Sequence, residues 1–145
     1  MTAWANKREA VTLDTIIQTE RDVIEQIARS GHDEPVLMIN QNRYKNGAFP
    51  NGALYQRWRE VNKNMIDDVA GKIIWTLPIK GQILVNGHLE ELDEILAYWY
   101  PSHRAFLDLF SSSDREENFE IRKELIDYAV IHRCSGINSP AVPTP

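Results

Sequence analysis

The spacing of apolar and polar residues changes several times along the chain, and each change marks an element. Val11, Leu13, Thr15 and Ile17 alternate, a weak strand-like signal near the start. Thr19 with Asp22 three positions later resembles a capping box, and Val23, Ile24, Ile27 and Ala28 follow at helical spacing. This predicts a short amphipathic helix that stops near Gly31. From Pro35 the period becomes two. Val36-Leu37-Met38-Ile39 runs into Asn40-Gln41-Asn42-Arg43-Tyr44, a strand whose second half turns polar. Met38, Asn40 and Asn42 share one of its faces, and Ile39, Gln41 and Arg43 the other. Lys45 to Gly52 reads as a loop. Asn51 is placed to cap a helix from Gly52 to about Ala70, on which Leu54, Trp58, Val61, Met65, Ile66 and Val69 form one apolar stripe.

Gly71 ends that helix. Lys72 to Leu77 is predicted as a strand with Ile73, Trp75 and Leu77 on one face, and Pro78 marks an edge or a bulge. Ile83, Leu84 and Val85 continue the extended run to an Asn86-Gly87 turn. Ile95 to Tyr100 is the third strand of the core. Ser102 caps a helix bearing Ala105, Phe106, Leu109 and Phe110, a charged helix covers Asp114 to Leu125, and Tyr128 to Arg133 is a last strand. The order β-α-β-β-α-β after an N-terminal helical extension is the ferredoxin-like split βαβ arrangement, an α+β fold whose antiparallel sheet carries helices on one face. Ile73, Trp75, Ala97 and Trp99 cannot all lie under two helices, so a second copy packing sheet to sheet is the economical cover. The expected organisation is an N-terminal arm (1–18), one domain (19–134) and a Pro-rich, disordered tail (135–145).

Composition narrows the function classes. With 145 residues, 16 Lys+Arg against 21 Asp+Glu and a formal charge of −5, the chain has no basic block for phosphates, which argues against nucleic-acid binding. No run approaches the ~18 apolar residues of a membrane span. Lys7, Arg8 and Glu9 stand where a secretory signal needs an apolar core, so a cytoplasmic location is expected. The single cysteine, Cys134, forms no internal disulfide.

Several segments together carry a resemblance. Pro35-Val36-Leu37-Met38-Ile39-Asn40, Ala53-Leu54-Tyr55, Ala70-Gly71-Lys72-Ile73-Ile74-Trp75 and Asp93-Glu94-Ile95 are followed by Tyr100-Pro101-Ser102-His103-Arg104-Ala105-Phe106-Leu107 and by Arg122. In this order and spacing, over roughly Thr19 to Arg133, the chain resembles the uncharacterised domain-of-unknown-function branch of the dimeric α+β barrel superfamily. The Thr19-led helix is similar to an extension found in longer members. The resemblance implies a homodimer with a cavity between sheet and helices in each subunit. Elsewhere in the superfamily that cavity serves polyketide cyclisation, cofactor-independent monooxygenation, lactone isomerisation, dehalogenation or haem chemistry; the branch itself has no general activity. The chain departs from the branch at Trp99, where an acidic residue is common, and in the polar Asn40-Gln41-Asn42 stretch. Fold alone does not assign function.

The candidate chemistry follows from residue types. His132, sharing a face with Val130 and Tyr128, is expected to point towards an interior; His103, in a helical first turn, is expected to be solvated, or else a neutral base. Tyr55 flanks the apolar stripe, where its phenol could enter a cavity as donor or base. Asn40 ends an apolar strand face and could orient a ligand carbonyl or brace a loop. Arg43, Arg104 and Arg122 could each hold a carboxylate. Trp75, Tyr98, Trp99 and Tyr100 split between faces, Tyr98 and Tyr100 together and Trp99 opposite, one face lining the pocket and the other the dimer interface. His32 and His88 read as loop surface. The histidines show no metal-ligand spacing, and no cofactor motif is present. Two functions stay open: a cofactor-independent lyase, isomerase or cyclase acting on a small, partly apolar carbonyl or aromatic metabolite, with His132, His103 or Tyr55 as catalytic group and Asn40, Arg43, Trp75, Tyr98, Tyr100 and Arg122 binding substrate; or a non-catalytic ligand-binding or scaffold protein of the same fold.

Overall fold

In the computed structural model, residues 16–87 and 91–137 are described. The Val11-to-Thr15 alternation, His88 and the Pro-rich stretch from residue 138 onwards lie outside them. The elements run α1 (Gln18–Arg29), β1 (Val36–Tyr44), α2 (Ala53–Asp68), β2 (Lys72–Pro78), β3 (Glu94–Tyr100), α3 (His103–Asp108), a 3-10 turn (Leu109–Ser111), α4 (Arg115–Leu125) and β4 (Ile126–Ser135). The strands form one sheet in the order β2-β3-β1-β4, every neighbouring pair antiparallel. β3 inserts between β1 and β2, the split βαβ arrangement of a ferredoxin-like α+β fold.

Strand parity decides what is buried. Val36, Met38, Leu96, Tyr98 and Tyr100 pack with Ile24 of α1, Trp58, Val61 and Ile66 of α2, Phe106 of α3 and Ile121 and Leu125 of α4 in one core, so the helices share one face of the sheet. Burial of a side chain such as Leu96 or Leu125, both inaccessible, contributes about 1.5–3 kcal/mol. The opposite face carries Ile39, Trp75, Ile95, Trp99 and Val130, all half-buried. Among the described residues, no helix is long and apolar enough to cross a membrane.

Several local expectations are corrected. A register shift in β2 pairs Ile73 with Tyr98 but Trp75 with Ala97, so Ile73 faces the helices while Trp75 and Leu77 face away. Ile83, Leu84 and Val85 do not extend a strand; they are exposed in the connection between β2 and β3. α1 begins at Gln18 with Ile17 as its N-cap and no side-chain cap, so Thr19 lies inside the first turn and forms no capping box. α2 is preceded by Gly52 rather than capped by Asn51: the Gly52 amide donates to the Ala48 carbonyl at 2.7 Å, and a Cβ there would meet the same oxygen at 2.6 Å. α2 ends at Asp68, and Ala70, not a glycine, takes the left-handed position (φ 62°) that closes it. Ser102 caps α3 as expected, accepting from the Ala105 amide at 2.9 Å. β4 runs to Ser135, and the Gly136 carbonyl accepts a hydrogen bond from the Trp99 indole at 3.0 Å.

Candidate functional site

Between the helix-bearing face of the sheet and the helices lies a cavity of about 80 Å³. β1 contributes Met38 and Asn40, which its period of two places on one face. β3 contributes Tyr98 and Tyr100, α2 Asn62 and Met65, and α4 Asn118 and Arg122, one helical turn apart. Phe106, Phe110 and Ile131 supply apolar wall. The half-buried Asn62, Leu109, Phe110 and Ile131 lie where the cavity approaches solvent.

Its polar groups fall into two sets. Asn118 donates to Asn62 at 3.0 Å, and Asn62 donates to the Tyr98 hydroxyl at 3.1 Å, a chain that orients the phenol. Arg122 and Asn40 are different. Both are buried (6% and 4% exposed), yet Arg122 Nε and Nη2 and Asn40 Oδ1 have no hydrogen-bond partner. The Arg122 guanidinium sits 5.7 Å from the centre of the Trp58 ring, and burial pulls its pKa down. Burial pushes the Tyr98 and Tyr100 phenols well above their ordinary value, so both remain neutral donors.

Of the sequence candidates, Asn40, Tyr98, Tyr100 and Arg122 therefore meet in one cavity, while His132, His103, Tyr55, Arg43 and Trp75 are absent from its lining. His132 does not point inwards: pairing with Ile39 puts it on the sheet's other face, exposed, with Nε2 3.1 Å from Gln41 Oε1. Trp75 shares that face. Arg43 pairs with Asp127 at 3.2 Å. His103 is not solvated but buried, 2% exposed, because Asp33 reaches the start of α3. Asp33 accepts from the His103 amide at 2.8 Å and the Arg104 amide at 3.0 Å and lies 3.1 Å from the His103 ring. Burial works to raise the Asp33 pKa, but these donors outweigh it and leave the carboxyl below its usual value.

Tyr55 belongs to a second buried polar group. Its hydroxyl donates to Glu94 at 2.8 Å and accepts from Arg59 at 2.9 Å, while Tyr44 donates to the same carboxylate at 2.7 Å and accepts from Asn42 at 3.1 Å. Burial, joined by the Glu94 charge and opposed by Arg59, pushes the Tyr55 phenol up to about 12. Sequence reasoning missed Glu94, Asn62 and Asn118. Glu94 had a signal: it has the parity of Leu96, Tyr98 and Tyr100. Asn62 stands four residues after Trp58, and Asn118 four before Arg122, at the helical spacing that shares a face.

No family model matches the chain, and no curated protein is significantly similar to it. Among solved structures it is similar to RPA0582, a protein of unknown function from Rhodopseudomonas palustris, at 19% identity and a TM-score of 0.62, over 84% of this chain and 94% of that one. A methylated form of RPA0582 gives 20% identity and a TM-score of 0.61, over 79% and 89% of the two chains. These likenesses bear on the fold alone: a compact antiparallel α+β domain shared with a protein of unknown function.

Proposed function

We propose that the protein binds a small, partly apolar carbonyl or aromatic compound in the cavity between sheet and helices, as a homodimer of the dimeric α+β barrel type. One observation carries the ligand reading: three buried polar atoms, on Arg122 and Asn40, line the cavity with no partner in the protein. Buried polar groups are ordinarily satisfied, so an unpaired set around a cavity is best explained by a molecule that completes it. The dimer reading is supported by the half-buried Trp75, Ile95 and Trp99 on the sheet face that, among the described residues, carries no helix.

Of the two functions left open by the sequence, ligand binding without catalysis has the better support. The polar lining consists of amides, phenols and a guanidinium, and neither carboxylate nor imidazole is among it. A general base with a pKa near neutrality is thus missing from the described lining. A lyase, isomerase or cyclase remains a second reading, favoured by the way Arg122 and the tyrosine hydroxyls could stabilise an oxyanion formed on a substrate that supplies its own proton acceptor. Native mass spectrometry of freshly purified protein tests the proposal. A dimer carrying a small-molecule mass is the expected spectrum; a bare monomer that also ignores a metabolite panel would remove both parts of it.

A further inference from the structure

The unpartnered atoms of Arg122 have a geometry of their own. Nε–H and the neighbouring Nη2–H form one edge of the guanidinium, two near-parallel donors spaced to meet both oxygens of a carboxylate. The Trp58 ring, its centre 5.7 Å from the guanidinium carbon, supplies no hydrogen-bond acceptor, so the Nε–Nη2 edge still lacks a partner. No carboxylate among the described residues pairs with Arg122, although Glu94 is buried in the same fold and is satisfied elsewhere. We infer that the cavity ligand is a small monocarboxylate, held side-on by the Nε–Nη2 edge of Arg122 with its apolar portion against Met38, Phe106 and Ile131. This rests on the ligand-binding reading above and narrows it to an anion.

Size and charge both agree. The cavity is roughly half of the ~150 Å³ that accepts benzene in an engineered protein core, enough for a carboxylate head and a short chain, with anything longer reaching the mouth at Leu109 and Phe110. The positive charge of Arg122 is uncompensated, so a neutral ligand of equal shape would leave it so. Asn40 adds an acceptor for a hydroxyl or amine on the ligand.

The test is calorimetric titration of the full chain with butyrate and with butyramide, repeated on Arg122→Met and Arg122→Lys. Butyrate is expected to bind the wild type at least about tenfold more tightly than butyramide, a ratio corresponding to one charge-assisted bidentate contact. Arg122→Lys should weaken butyrate because a point charge replaces the fork, and Arg122→Met should abolish its preference over the amide. The methionine variant is expected to melt higher than wild type without ligand, which certifies its fold. Equal binding of butyrate and butyramide, or full butyrate affinity in Arg122→Met, overturns the carboxylate assignment and leaves a neutral-ligand site. Failure of both probes in a protein that also carries no adduct by native mass spectrometry overturns the ligand site itself. A lower melting temperature for Arg122→Met, with no butyrate binding by wild type, makes Arg122 a packing residue and overturns the assignment too.

Discussion

Glu94 and Arg122 are buried to similar depth in one core, at 2% and 6% exposure, yet their surroundings have little in common. Glu94 accepts from two tyrosine hydroxyls, and Arg59 stands 3.7 Å away as a counter-charge. Arg122 has an aromatic face beside it and two free donors. Removing an ion from water costs several kcal/mol, and only good geometry with further hydrogen bonds returns that. The Glu94 carboxylate meets the condition within the protein; the Arg122 guanidinium does not. Two charges at equal depth thus carry different meanings, one holding the strand β3 to the loop side of β1 and α2, the other kept open at the cavity.

The largest effect that sharpens this contrast is expected for Glu94→Ala. It leaves the Tyr44 and Tyr55 hydroxyls without their acceptor and should lower unfolding free energy by about 3–5 kcal/mol, measured by urea denaturation. A wild-type midpoint would break the comparison on its structural side. Tyr55→Phe removes two charge-assisted hydrogen bonds, one to Glu94 and one from the part-exposed Arg59, and should lose about 1.5–3 kcal/mol, with binding in the cavity untouched. Arg122→Met should move the other way, raising the stability of the ligand-free protein by about 1–2 kcal/mol as an unpaired buried cation is replaced by an apolar side chain of similar volume. A loss there would mean that both charges are structural.

The smallest effect concerns Asp33, a half-buried carboxylate between these extremes. Its folded pKa lies below the usual value of 3.8, so the stability it contributes is complete above that pH and is lost as pH falls through the folded value. Asp33→Asn should cost about 1 kcal/mol near neutrality, and the gap between wild type and variant should close in acid. A gap of constant size from neutral to strongly acidic pH would show that His103 and Arg104 do not depend on the Asp33 charge.

The strand face shared by Met38 and Asn40, the apolar stripe of α2, the Ser102 cap and the split of Tyr98 and Tyr100 from Trp99 were legible in the sequence because each depends on period or on neighbours within four residues. What was not legible depends on distant or single-residue events. One extra residue in β2 moves Ile73 and Trp75 onto opposite faces, and no local pattern announces it. His103 is buried by Asp33, 70 positions earlier, and Glu94 finds its two phenols 39 and 50 positions away. Arg122 was legible as a candidate residue but its situation was not: that its donors are buried without a partner is set only once β1, β3, α2 and α4 are assembled around it.

Trp58 gives the cavity an optical reporter. Its indole is fully inaccessible and lies with its ring centre 5.7 Å from the Arg122 guanidinium, whereas Trp75 and Trp99 sit on the opposite side of the sheet. A fixed positive charge beside an indole shifts the energy of its excited state, and an anion bound to that charge cancels part of the field. Emission from Trp58 should therefore change colour when the site fills and stay constant when the same anion is added to Arg122→Met, so that occupancy can be followed with no label attached.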